Sequence, residues 1–158
     1  AIDEGNEATW LPSYGAEMRG GTANCNVVIS DEEIPFAMVS QADYCIIMND
    51  PSLEKFESKV CPGGTLILDG SMVKRPVSRT DIQVYSVPAD TIAEEEGNTR
   101  GANMVLLGAY LAAAGGVKLE TVYANIDHSF TGSKAKYAES NKRLVKRGYD
   151  LIAGQIGH

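Results

Sequence analysis

The chain has 158 residues, of which 44% are apolar and 22% charged, a balance that belongs to soluble globular domains and excludes general disorder. A chain of this length buries roughly 68–70% of the surface it exposes when unfolded, so one domain spanning 1–158 needs neither disulfides nor a structural metal. With 14 basic against 21 acidic residues and a net charge of -7, its field repels phosphate backbones and anionic lipid. Nucleic acid and membrane surfaces are therefore not expected partners, and any anion site must be local.

Ala1 to Glu7 is acidic and reads as the tail of a helix turning at Gly5, with nothing recognisably strand-like before it. Thr22 to Ser30 alternates small polar and apolar residues and then becomes β-branched, the pattern of a half-buried strand. Tyr44 to Met48 and Thr65 to Leu68 are short continuous apolar runs, expected as central strands covered on both faces. Between them, Pro51 to Val60 reads as a helix with Asp50 as cap, Pro51 at its first position, and Leu53, Phe56 and Val60 on one stripe, stopping at Pro62-Gly63-Gly64.

Strand, capped helix and strand make a βαβ unit, whose crossover brings the two strands parallel. A third strand follows at Asp81 to Val87, then an acidic helix from Asp90 to about Gly97 and a nearly all-apolar, buried helix from Gly101 to Ala114. A last helix, from about Lys134 to Ala153, places Tyr137, Leu144, Val145, Leu151 and Ile152 on one face and Lys142, Arg143, Lys146 and Arg147 on a solvated one. The expected fold class is α/β, a three-layer domain around a mostly parallel central sheet.

Cys25, Cys45 and Cys61 show neither a CxxC pair nor a partnering His, so they read as buried thiols and as neither metal ligands nor an iron–sulfur cluster set. That usage fits a reducing cytoplasm. Asp127-His128-Ser129 cannot form a triad, because side chains at adjacent positions diverge. No nucleophile elbow, phosphate-binding glycine loop or paired-histidine zinc motif appears, and no self-sufficient catalytic set is visible.

Two loops carry more chemistry than folding requires. Trp10-Leu-Pro-Ser-Tyr-Gly-Ala-Glu-Met-Arg-Gly-Gly-Thr22 holds the only tryptophan, an acid and a base two residues apart, and a glycine pair ahead of a strand. Ser13, Tyr14, Gly15, Glu17, Arg19, Gly20 and Gly21 are its candidate residues. The glycines permit close backbone approach, and the Arg19 fork suits a carboxylate or phosphate with Glu17 orienting it. A tight loop stapled by that ion pair explains the same residues without any ligand. In the second loop, Gly97 to Asn103, Asn98 or Thr99 is placed to cap the buried helix, and Arg100 and Asn103 stand at its mouth as candidates for a ligand or subunit contact.

Leu-Pro-Ser-Tyr-Gly-Ala-Glu-Met-Arg-Gly-Gly-Thr-Ala-Asn-Cys resembles the signature of the gamma subunits of 2-oxoacid:ferredoxin oxidoreductases. Val27 to Asp31, Gln41-Ala42-Asp43, Cys61 to Ile67, Pro88-Ala89-Asp90 and Gly97 to Met104 follow in that family's order, so the resemblance covers nearly the whole chain. It implies a complex that oxidatively decarboxylates a 2-oxoacid such as pyruvate or 2-oxoglutarate, the latter or a close relative being expected here. Such a complex uses thiamine diphosphate, iron–sulfur clusters and coenzyme A, releases an acyl-CoA and reduces ferredoxin.

The cofactors are expected to be held outside this chain, the partners being alpha, beta and ferredoxin-like delta subunits and ferredoxin as electron acceptor. The loops at Tyr14 to Gly21 and Asn98 to Asn103 are expected to face those partners and CoA. Members of the family usually open with a strand and a glycine-rich loop that this sequence does not show: either the given chain omits that segment or the subunit is truncated, and if it is truly absent the sheet loses a strand and leaves a neighbour unpaired. Two rival readings follow from the residues alone: a free-standing small-molecule enzyme with an anion pocket at the same loops, and a purely architectural subunit.

Overall fold

The computed structural model describes residues 1–13, 23–36 and 38–157. Two sheets are formed. An antiparallel ribbon pairs β1 (Glu7–Ser13) with β2 (Asn24–Ser30), and a parallel sheet has the order β3 (Ala42–Ile47), β4 (Val60–Asp69), β5 (Gln83–Val87). The βαβ expectation holds: α1 (Asp50–Phe56) leads through a short 3₁₀ turn from β3 to its parallel neighbour β4.

Period-two alternation along β4 divides the core. Leu66 and Leu68 point to the α1 side, where they meet Ile47, Leu53, Val60 and Val73. Ile67 points to the opposite side, into a cluster with Val87, Ile92, Val105, Leu106, Leu144 and Ile152. Those last residues come from β5, α2 (Ala89–Glu95), α3 (Ala102–Ala114) and α5 (Ala138–Ile156). Three layers result, as expected from the α/β pattern. α4 (Leu119–Ser129) closes a third cluster around Leu111, Ile126, Ala138 and Val145.

Several details depart from the sequence reading. Glu7–Ser13, whose second half reads as loop in the sequence, forms β1, and its Pro12 is tolerated because a two-stranded ribbon is all edge. β3 is an edge of the described sheet, not a central strand, and only β4 is paired on both sides. The cap of α1 is Asn49, whose extended backbone lets its Oδ1 accept from the Ser52 N–H at 2.9 Å. Asp50 instead accepts the Lys74 and Arg75 N–H groups, both at 2.9 Å, and so pins the connection that follows β4.

The helix ends at Phe56, and Pro62-Gly63-Gly64 lies inside β4, where the β3–β4 register shifts between Ala42 and Tyr44. A Cβ on Gly64 would stand 2.9 Å from the Asp43 carbonyl oxygen, so the shifted register needs glycine there. The stretch Leu119–Ser129, holding Asp127 and His128, is a helix that the sequence reading passes over. α5 starts at Ala138, after a 3₁₀ segment from Gly132 to Tyr137, and Tyr137 is largely exposed, outside the stripe of Leu144, Val145 and Ile152.

The basic face of α5 is spent on ion pairs. Lys142 meets Asp127 and Glu139, Arg143 meets Glu96, Lys146 meets Asp150, and Arg147 meets Glu95 and Glu96. It carries no surplus field for nucleic acid. No helix among the described residues is long and apolar enough to cross a membrane.

Candidate functional site

The two candidate loops meet different structural fates. Ser13 ends β1 exposed and is paired with Asn24, the first residue of β2. Tyr14, Gly15, Glu17, Arg19, Gly20 and Gly21 lie outside the described residues.

The second loop is built as a joint. Gly97, at φ +70°, turns the chain out of α2 in a conformation that side chains disfavour. The Asn98 N–H then donates to the Ala93 carbonyl at 2.9 Å, and its own carbonyl accepts from the Gly101 N–H at 2.8 Å. The Asn98 side chain does not cap α3. Its Nδ2 donates to Ser140 Oγ at 3.2 Å and to Oδ1 of the buried Asn141 at 3.0 Å, fastening the α2–α3 turn to the first turn of α5.

The cap position is Gly101, and no side chain bonds the first turn of α3. A Cβ on Gly101 would stand 2.2 Å from Leu144 Cδ1, which explains why a residue with no capping side chain occupies that position. Arg100 and Asn103 are exposed beside this turn, and neither side chain bonds another described residue. An uncapped helix start with a cation next to it suits an anion, which is the chemistry of this loop that packing leaves unused.

The sequence reading misses Asp69. It ends β4, the central strand, at the carboxyl edge of the parallel sheet, and is 1% exposed. Its Oδ1 accepts from the N–H groups of Ser71 at 3.0 Å and Ala89 at 3.2 Å, which ties the exit of β4 to the start of α2. Oδ2 is buried with no partner among the described residues. Next to it, the Ser71 and Thr91 hydroxyls share a hydrogen bond at 3.0 Å, and Lys74 Nζ donates to the Gly70 carbonyl at 3.2 Å. An aspartate directly after Leu66-Ile67-Leu68 is the sequence signal that could have found this position.

The thiols differ from the expectation of three buried groups. Cys25 is exposed on the ribbon, whereas Cys45 and Cys61 are partly buried. Burial pushes the Cys45 thiol up to about 11, which keeps it protonated and unreactive at neutral pH. Among the described residues no group of three or more His, Cys, Asp or Glu side chains is placed to hold a metal ion.

The fold defines the class: an α/β domain built on a parallel three-stranded sheet with helices on both of its faces. It superimposes on the gamma subunit of a keto/oxoacid ferredoxin oxidoreductase from Geobacter sulfurreducens with a TM-score of 0.80 and 26% identity, covering 98% of this chain and 85% of that one. A second likeness of fold is to a 2-oxoglutarate:ferredoxin oxidoreductase from Magnetococcus marinus, solved with 2-oxoglutarate, coenzyme A and succinyl-CoA bound. There the TM-score is 0.79 at 22% identity, over 96% of this chain and 26% of that one.

The family model for pyruvate ferredoxin/flavodoxin oxidoreductase matches residues 1–151, and the chain belongs to that family as a domain of gamma type. Among relatives, the 2-oxoglutarate synthase subunit KorC of Methanothermobacter marburgensis is 37% identical over 158 residues, covering 96% of this chain and 83% of its own. The ketoisovalerate oxidoreductase subunit VorA of Methanothermobacter thermautotrophicus is 36% identical over 157 residues, covering 99% of this chain but 32% of its own. The chain thus spans about a third of that longer relative.

Proposed function

We propose that this chain works as the gamma-type subunit of a 2-oxoacid:ferredoxin oxidoreductase, within a complex that cleaves carbon dioxide from a 2-oxoacid, transfers the acyl group to CoA and passes the electron pair to ferredoxin. The observation that carries the proposal is the family match along residues 1–151, together with 37% identity to a relative of which the chain covers 83%. 2-Oxoglutarate is the substrate proposed first, since that relative is a 2-oxoglutarate synthase subunit; the similar identity to a ketoisovalerate subunit makes a branched 2-oxoacid the alternative to test beside it.

Thiamine diphosphate and the iron–sulfur clusters belong, in this reading, to companion alpha, beta and ferredoxin-like delta subunits in the cytoplasm. The candidate residues at Ser13 to Gly21 and Asn98 to Asn103 face those companions. Arg100, beside the uncapped start of α3, is the described residue best suited to a CoA phosphate.

The test is to isolate the complex from its host through a tag on this chain and follow ferredoxin reduction with 2-oxoglutarate, ketoisovalerate and pyruvate, with and without CoA. CoA-dependent turnover by the complex and none by the chain alone is the expected result. Turnover by the isolated chain, or its recovery without companions, overturns the proposal.

A further inference from the structure

Parallel neighbours need a crossover connection, and a helix usually makes it, satisfying its own main chain on the way. The connection from β3 to β4 uses α1 in this manner, but residues 70–82, which lead from β4 to the parallel β5, contain no helix. Both ends of that segment are held main chain to main chain. The Met72 and Val73 N–H groups donate to the Asp69 carbonyl at 3.1 and 2.8 Å, and the Asp81 carbonyl accepts from the Gly63 N–H at 2.8 Å. Between them, from residue 74 to residue 80, no hydrogen bond joins main chain to main chain among the described residues.

Side chains hold that stretch instead. Asp50 Oδ1 accepts the Lys74 and Arg75 N–H groups, while Glu57 Oε1 accepts those of Ser78 and Arg79 at 2.6 and 2.9 Å and the Ser78 hydroxyl at 2.9 Å. Asp50 opens α1 and Glu57 follows its last residue, so the two carboxylates grip the segment from the two ends of one helix. The Arg79 guanidinium adds bonds to the Glu57 and Val60 carbonyls and to the Asp81 carboxylate. Val77 is the apolar peg: it packs half-buried against the α1-side cluster, whereas Lys74, Arg75, Pro76, Ser78 and Thr80 are exposed.

We propose that residues 74–79 form a strap that opens as one unit while the sheet stays folded, with Asp50 and Glu57 as its two clasps. Only Pro76 and Val77 separate the two held pairs of N–H groups. Pro76 has a fixed φ and no N–H of its own, so neither clasp releases without drawing on the other. A segment tied by rotatable, partly exposed carboxylates and by one half-buried valine belongs to the low end of local stability, and Leu66 and Ile67 of the fully covered β4 belong to the high end. Opening withdraws Val77 and bares the α1-side cluster where it was covered; closing restores the cover. The strap is a conformational device of this face of the sheet, and it stands apart from the function proposed above.

Hydrogen exchange read amide by amide in the native protein is the test. After correction for intrinsic rates, the Lys74, Arg75, Ser78 and Arg79 amides should exchange about a hundredfold or more faster than those of Leu66 and Ile67. Exchange as slow as that of β4 means that the segment opens only when the domain unfolds, and it overturns the proposal.

A second measurement asks whether the strap moves as one. Glu57→Ala removes one clasp and leaves Asp50 in place, and exchange should rise about tenfold or more at Lys74 and Arg75 as well as at Ser78 and Arg79. A rise confined to Ser78 and Arg79 makes the two carboxylates independent tethers and refutes the single unit. Should this variant fail to fold, Glu57→Gln, which keeps an oxygen acceptor, permits the same comparison with a smaller rise.

Discussion

Gly108 of α3 and Gly148 of α5 cross reciprocally: a Cβ on Gly108 would fall 1.9 Å from the Val145 carbonyl oxygen, and one on Gly148 would fall 1.9 Å from that of Val105. Each glycine thus receives the backbone of the other helix. Such an approach lets Val105, Leu106, Leu144 and Val145 be fully buried at the same crossing. The α2–α3 turn and its Arg100 take their position from this pair of helices, because Asn98 is fastened to the start of α5.

The first prediction tests the crossing. Gly108→Ala or Gly148→Ala pushes a methyl into backbone atoms that cannot rotate away, and each should cost about 3 kcal/mol or more in urea unfolding. Gly154, on the same helix α5, has nothing within 4 Å of its would-be Cβ. There, alanine should stabilise by about 0.5–1 kcal/mol through helix propensity alone. Equal effects at Gly148 and Gly154 would refute the close crossing.

The second concerns Asp69. Asp69→Ala leaves the Ala89 N–H at the buried start of α2 without its acceptor, at a cost of about 1–3 kcal/mol. Asp69→Asn keeps an Oδ1 acceptor for Ser71 and Ala89 and removes a charge whose Oδ2 has no described partner, so it should cost clearly less. Denaturant midpoints of the two variants decide the matter. An asparagine as damaging as alanine means that a donor from elsewhere in the assembled protein uses Oδ2.

The third is a dependence on pH. Burial works against the charge of Glu57, but the Arg79 and Ser78 N–H groups and the Ser78 hydroxyl outweigh it, and the carboxyl sits below the ordinary glutamate value of 4.5. Since the folded state holds this proton more weakly than the unfolded chain, the stabilisation is complete above pH 4.5. It is lost as the pH falls through the lower folded value. Thermal unfolding followed from pH 7 to pH 3 should show this loss. In Glu57→Gln the chain should be less stable at pH 7 and its decline below 4.5 shallower, and an unchanged slope counts against the role of Glu57.

How much of this was legible depends on what each residue is asked to do. Leu66-Ile67-Leu68 reads as a central strand because both faces of β4 are covered, and a short apolar run with no alternation has few other uses. Glu7–Ser13 does not read as a strand, because neither face of the ribbon is deeply buried and no burial pattern is imposed on it. Leu119, Val122, Tyr123 and Ile126 do have helical spacing, but only Ile126 of α4 is fully buried, so the apolar signal is thin beside that of α3.

At the candidate site the limit is tertiary. Asn98 has the chemistry of a helix cap, and nothing local reveals that Ser140 and Asn141 compete for its amide. The choice between Asn49 and Asp50 as cap of α1 is of the same kind, settled by the Lys74 and Arg75 N–H groups more than twenty residues downstream.

The fourth prediction separates packing from function within one loop. Asn98→Ala removes both bonds to α5 and leaves the buried Asn141 amide without its donor, so it should lower stability by about 1–3 kcal/mol. Its effect on CoA should follow only from that loss. Arg100→Ala removes an exposed side chain with no described partner and should leave unfolding unchanged within about 0.5 kcal/mol. In the assembled complex the same substitution should raise KM for CoA severalfold with kcat preserved, as expected for a group that binds a phosphate away from the reacting bond. An Arg100→Ala complex with the parent KM removes this residue from the CoA site and leaves the α2–α3 turn a structural joint alone.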